Sequence, residues 1–160
     1  SCRGELRRQT PGGLLLSVGL NDTARVGRVD GRPQLDVDAF SFGMGQLLSE
    51  MTREIQVFVL GLTAVDEHVM PFAGCLWYSN QQIKATEAAM AEQCREADVP
   101  FLPVHQEMQG EHDWLTWMEP DGIHLNSEGH RWLDQRLDQW APLRQWAGLA
   151  PHNTSTPIKM

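Results

Sequence analysis

The chain has 160 residues, of which 41% are hydrophobic and 21% charged, a size and composition that fit one packed domain and exclude a disordered chain. Its formal charge of −8 argues against nucleic acid as a partner, because such binders concentrate Lys and Arg on one face. No apolar run approaches the roughly 18 residues of a membrane helix, so no membrane span is expected.

Residues 1–9 read as the tail of a helix, with Arg3, Arg7 and Arg8 favouring its own C-terminal dipole. The start has no apolar core of a signal peptide, which makes a cytoplasmic location the default expectation. Gln9 to Gly13 punctuates the chain, and Leu14 to Val18 follows as a short apolar run bounded by glycines, suited to a strand buried on both faces. A loop runs to about Gln34. Residues 36–53 read as a helix with an apolar face of Met44, Leu47, Leu48 and Met51, although Gly43 and Gly45 weigh against its first half. Ile55 to Leu62 is the clearest strand.

Thr63 to Tyr78 reads as a loop. Residues 80–98 form a helix capped by Ser79 or Asn80, with Ile83, Met90, Cys94 and Ala97 inward. Pro100 to Val104 is a short strand whose prolines place it at a sheet edge. Residues 105–125 read mostly as loop, with one helical turn near Trp114–Trp117, and Asn126 or Ser127 caps a last helix to about Trp140. The expected domain is 1–149, followed by a frayed tail over 150–160. Strands alternating with amphipathic helices predict an α/β fold with a parallel sheet covered on both faces.

Sites in such sheets form at the carboxyl ends of the strands. Two polar blocks fall there: Gly19-Leu20-Asn21-Asp22 after the first strand, and Asp121-Gly122-Ile123-His124 before the last helix. A side-chain amide at Asn21 can donate to a developing oxyanion. An imidazole at His124 can serve as general base, and Asp121 can fix its tautomer across the turn at Gly122. Each block also has a plainer reading. Asn21-Asp22 and Asp121-Gly122 suit ordinary turns, and His124 suits a surface position near a helix start. Asp66-Glu67-His68 and Glu111-His112-Asp113 read as solvated loops, since consecutive residues do not put three metal ligands on one face. His105 and His130 have no evident partner. The three cysteines, Cys2, Cys75 and Cys94, lack metal-type spacing and read as free thiols, with Cys94 in the core.

Together, the two blocks in this order resemble those of the SGNH/GDSL-type hydrolases, a lipase and acylhydrolase family. That family has Gly-x-Asn-Asp after its third strand and Asp-x-x-His before its last helix. Leu125-Asn126-Ser127-Glu128-Gly129-His130 also resembles the helix start that follows the family histidine. The resemblance covers about residues 1–147 and implies a flavodoxin-like three-layer α/β/α sandwich. It implies an esterase working through an acyl-enzyme, with His124 as base, Asp121 as its orienting partner, Asn21 in the oxyanion hole, and Gly19 and Asp22 in support. The implied partner is a small-molecule ester, with no cofactor and no metal. Phe72, Trp77, Trp114 and Trp117 are candidate substrate-pocket residues, because their loops adjoin the two blocks.

The family's Gly-Asp-Ser block, which carries the nucleophile, is absent, so no serine of this chain is assigned that role. The expectation is a chain lacking the first strands of the fold, with the serine upstream, and weak or inactive alone. Leu14 to Val18 would then expose an apolar sheet edge, favouring aggregation or strand exchange. Two rival readings stay open: a non-catalytic binding module on the same scaffold, and a metal-dependent hydrolase with Asp121 and His124 as ligands.

Overall fold

Two five-residue strands, β1 (Leu6–Thr10) and β2 (Gly13–Ser17), open the described part of the chain. The structure is a computed structural model that describes residues 6–10, 12–33 and 35–152, without the side chains of 6–10 and 21. β1 and β2 pair antiparallel, with Thr10 opposite Gly13 and Leu6 opposite Ser17. Gly12 between them takes φ +76°, a conformation open to glycine at little cost. This overturns the helical reading of residues 6–9, and residues 1–5 lie outside the description. The physical reason is tertiary: Leu6–Thr10 occupies the hydrogen-bonding edge of β2. The expected open apolar edge at Leu14–Val18 is therefore covered along Leu14–Ser17, and Arg7 and Arg8 lie in a strand, not in the last turn of a helix.

After the short strand β3 (Arg25–Val26), helix α1 spans Val37–Met51. Asp36 caps it by accepting the Ala39 N–H at 2.8 Å. Phe40, Met44 and Leu48 form its buried stripe. Gly45 serves close packing, since a Cβ there would lie 2.5 Å from Gln93 Oε1. Strand β4 (Gln56–Leu60) and the two-residue β5 (Leu76–Trp77) precede helix α2, Asn80–Glu96, which Ser79 caps. Then come β6 (Phe101–Leu102), α3 (Val104–Gln109), a 3-10 turn at Trp114–Trp117, α4 (Ser127–Gln139) capped by Asn126, and α5 (Ala141–Trp146).

The main sheet runs β1-β2-β4-β6, with β2, β4 and β6 parallel. β6 sits at an edge, as Pro100 and Pro103 suggested. β3 and β5 form a small separate pair. Successive residues of the central strands feed opposite faces. Leu16, Val57 and Val59 join one core with α1 and α2, while Phe58 and Leu60 join another with Leu137 and Trp140. Burial on both sides explains why these strands read as continuous apolar runs. Phe58 meets Trp140 and Trp146 edge-on, with centroids 5.9 and 5.6 Å away. The fold is thus an α/β sandwich around a parallel sheet. Among the described residues no helix is long and apolar enough to cross a membrane.

Two helices escaped the sequence reading. α3 falls in the stretch read as loop, and α5 follows α4 after a break at Trp140. Pro142 restarts the chain in the first turn of α5, where a missing N–H costs nothing.

Candidate active site

The parallel strands deliver their following segments to one end of the sheet. β2 leads into Gly19, whose φ is +104° and whose Cβ would lie 2.8 Å from the Phe40 ring. Glycine is therefore required there by both backbone and space. Asn21–Thr23 form a 3-10 turn, closed by the Asp22 N–H donating to the Gly19 carbonyl at 3.1 Å. The Asp22 carbonyl accepts the Leu35 N–H at 3.2 Å, so Asp22 ties the two sides of this loop together. Burial pushes the Asp22 carboxyl above its ordinary range. The direction of the Asn21 side chain lies outside the described residues.

The second block folds as a tight turn. The Gly122 N–H donates to the Glu119 carbonyl at 2.9 Å, and the Glu119 N–H donates to the His124 carbonyl at 2.8 Å. Gly122 takes φ +78°. This brings Asp121 against His124, with Nδ1 of the ring 2.5 Å from Oδ2. Oδ1 accepts the N–H groups of Ile123 at 2.9 Å and His124 at 3.0 Å. Burial raises the Asp121 carboxyl, but its hydrogen bonds to the His124 ring and to the two N–H groups outweigh that. Its pKa lies below the ordinary value. An ionised Asp121 accepts from an Nδ1–H, which leaves Nε2 as the free nitrogen of a neutral ring. The His124 side chain is 67% exposed, so that nitrogen is open to a reactant.

The two blocks share a core. Ile123, next to His124, is buried in the apolar cluster against which Leu20, Met70 and Phe72 pack. Among the described residues no hydrogen bond links the blocks, and no serine hydroxyl bonds to His124. Phe72 lies edge-on to the His124 ring at 6.3 Å and to Tyr78 at the same distance. Trp77 is half-buried in β5, opposite Arg25. Trp117 stacks on Trp132 at 5.1 Å and packs with Ala64, Met108 and Leu125. Trp114 packs against the same cluster. The two tryptophans thus support the turn from the core side.

Sequence reasoning missed a polar group beneath these loops. Glu87 on α2 is 5% exposed, and its carboxylate accepts three backbone N–H groups: Leu62 at 2.9 Å, His105 at 2.8 Å and Gln106 at 3.1 Å. It thereby caps the start of α3 from another helix. Burial raises its pKa against the opposing effect of those bonds. His105 is 1% exposed, and its Nε2 lies 3.1 Å from Asn80 Oδ1, so it does have a partner. Burial, assisted by Lys84, pushes its pKa down to about 4. The available signal was an acid set between Ile83 and Met90 on the inward stripe of α2. Asp66 and His68 also pair, at 2.9 Å, on the exposed loop after β4.

A parallel α/β sheet carrying an aspartate–histidine turn at the carboxyl end of its strands defines the class. A sequence profile of the GDSL-like Lipase/Acylhydrolase family matches residues 3–132, and the chain belongs to that family. The fold is similar to a lipase/acylhydrolase from Enterococcus faecalis, with a TM-score of 0.65 and 18% identity, over 88% of this chain and 64% of that one. It is also similar to a peptidoglycan O-acetylesterase, with a TM-score of 0.60 and 14% identity, over 84% of this chain and 38% of that one. The chain thus spans less than two thirds of either structure. The comparison with curated proteins returned no match.

Proposed function

We propose that this chain carries the base and acid half of a serine ester hydrolase. The observation that supports this most strongly is Asp121 holding Nδ1 of an exposed His124 while its other oxygen is fixed by two backbone N–H groups. In the proposed reaction a serine Oγ attacks the ester carbonyl and passes its proton to His124 Nε2. The imidazolium, steadied by Asp121, gives that proton to the departing alkoxide. Water then cleaves the acyl-serine by the same route in reverse. The Asn21 amide would donate to the oxyanion. The nucleophile is assigned to no serine of this chain. The substrate class is a small carboxylic ester, and Phe72 is the pocket residue best placed beside the base.

The test is made on the natural protein. A fluorophosphonate should label one serine, and His124→Ala should cut the kcat for nitrophenyl acetate by about 10⁴-fold or more. Unchanged hydrolysis in His124→Ala would remove the histidine from the reaction and with it this reading.

A further inference from the structure

Asn80 directly follows the N-cap of α2, where a polar side chain needs no partner beyond solvent. Its amide instead reaches the loop after β4 and grips one residue at two points. Oδ1 accepts the Val65 N–H at 3.0 Å, and Nδ2 donates to the Val65 carbonyl at 2.8 Å. The reverse amide orientation would break both bonds. Oδ1 also faces Nε2 of the buried His105 at 3.1 Å, which requires that nitrogen to carry the proton.

The next peptide carries the consequence. The Asp66 N–H donates to the Gly122 carbonyl at 2.8 Å, inside the turn that sets Asp121 against His124. The fit there is close: a Cβ on Gly122 would lie 2.2 Å from Val69 Cγ2 and 3.0 Å from the Asp66 carbonyl. The Glu119-to-His124 and Gly122-to-Glu119 bonds are internal to the turn, while buried Ile123 and the Asn126 N–H on the Trp117 carbonyl at 2.8 Å hold its flanks. The Asp66 contact ties it to the scaffold, and Val65 is fixed by Asn80.

We infer that Asn80 is a positioning residue: its two-point hold on Val65 sets Asp66 against Gly122 and so fixes the geometry in which Asp121 holds His124 Nδ1. This deepens the proposed function and rests on it for its catalytic meaning, but its test does not require activity. The clamp pins the rings of His124 and His105 as opposite tautomers, protonated on Nδ1 and Nε2 respectively. Nitrogen NMR of the imidazole rings distinguishes the two forms.

In the unaltered chain, at a pH where both rings are neutral, His124 is expected as the Nδ1–H form. In Asn80→Ala it should become a mixture with the Nε2–H form while the fold still melts cooperatively. Asn80→Asp keeps the size and the acceptor but sets an oxygen against the Val65 carbonyl, and it should shift His124 the same way. Thr86→Val removes a buried hydroxyl of α2 that, among the described residues, bonds only the Gln82 carbonyl, and should leave His124 unchanged. A pure Nδ1–H His124 in a folded Asn80 variant would overturn the inference. So would an equal shift in Thr86→Val, which would mark general loosening. Failure of the esterase assay alone would leave these spectra as predicted, so the two readings fail separately.

Discussion

Glu87 fills the space a side chain on Gly61 would need: a Cβ on Gly61 would lie 2.2 Å from Glu87 Oε2 and 2.9 Å from the Val104 nitrogen. The glycine at the end of β4 is therefore the condition for a buried carboxylate to reach the backbone of two separate segments. Gly61→Ala must displace either the carboxylate or the start of α3. The expected loss is about 1–3 kcal/mol, the usual range for an overpacked interior. Urea midpoints followed by circular dichroism measure it, and an unchanged midpoint would mean that Glu87 yields freely.

His105 makes stability depend on pH. Unfolded, it takes up a proton near its ordinary 6.5, and folded only at about 4. Between these values the unfolded chain binds the extra proton, so acid favours unfolding. The stabilisation is complete above about pH 6.5 and is lost as pH falls towards 4. It amounts to ~3 kcal/mol at about 1.4 kcal/mol per pKa unit. His105→Gln should lose less stability than the parent between about pH 7 and pH 4.5, measured by urea midpoints. Parallel losses in both proteins would contradict this.

Phe72 and Trp117 should separate as site and core. On the proposed esterase reading, Phe72→Ala removes a ring 6.3 Å from that of His124 and should alter acyl chain-length preference in the natural protein. Trp117→Ala removes a buried stack on Trp132 and should cost about 3–5 kcal/mol while leaving that preference alone. Melting curves and a nitrophenyl ester series would show the division, and an exchange of the two effects would reverse the assignment.

Cys94 and Cys75 should react at very different rates. Cys94 is fully buried and burial pushes its thiol up to about 12, so little thiolate forms at neutral pH. Cys75 is exposed. A thiol reagent with mass-spectrometric mapping should modify Cys75 in the native state and Cys94 only after unfolding. Native labelling of Cys94 would reveal an opening of α2.

The central strands, α1, α2, α4 and the edge placement of β6 were legible because each rests on local pattern: apolar runs, a helical stripe, a capping residue, flanking prolines. The Asp121–His124 pairing was legible for the same reason, since a four-residue turn brings both side chains together. The missed elements depend on distant partners. Leu6–Thr10 is a strand because β2 offers it an edge, and α3 begins where it does because Glu87 supplies the cap. His105 looked solitary because its partner, Asn80, is 25 positions away. Two-residue loops and remote carboxylates leave no periodicity to read.

The β1–β2 hairpin has a consequence for the order of folding. Its strands are joined through residues 11–12, whereas β2 meets β4 only after the chain has traversed residues 18–55. Hairpins close in about 1–10 μs, while parallel pairing must first overcome the entropy of a long crossover. β2 should thus acquire its outer neighbour before its inner one, leaving one side for β4 to dock. Pulse-labelled amide exchange should find hairpin protection earlier than β4 protection. The strand on the outer side of β2 would then also act as a kinetic guard for β2, holding that side against non-native pairing during the slower search for its parallel partner.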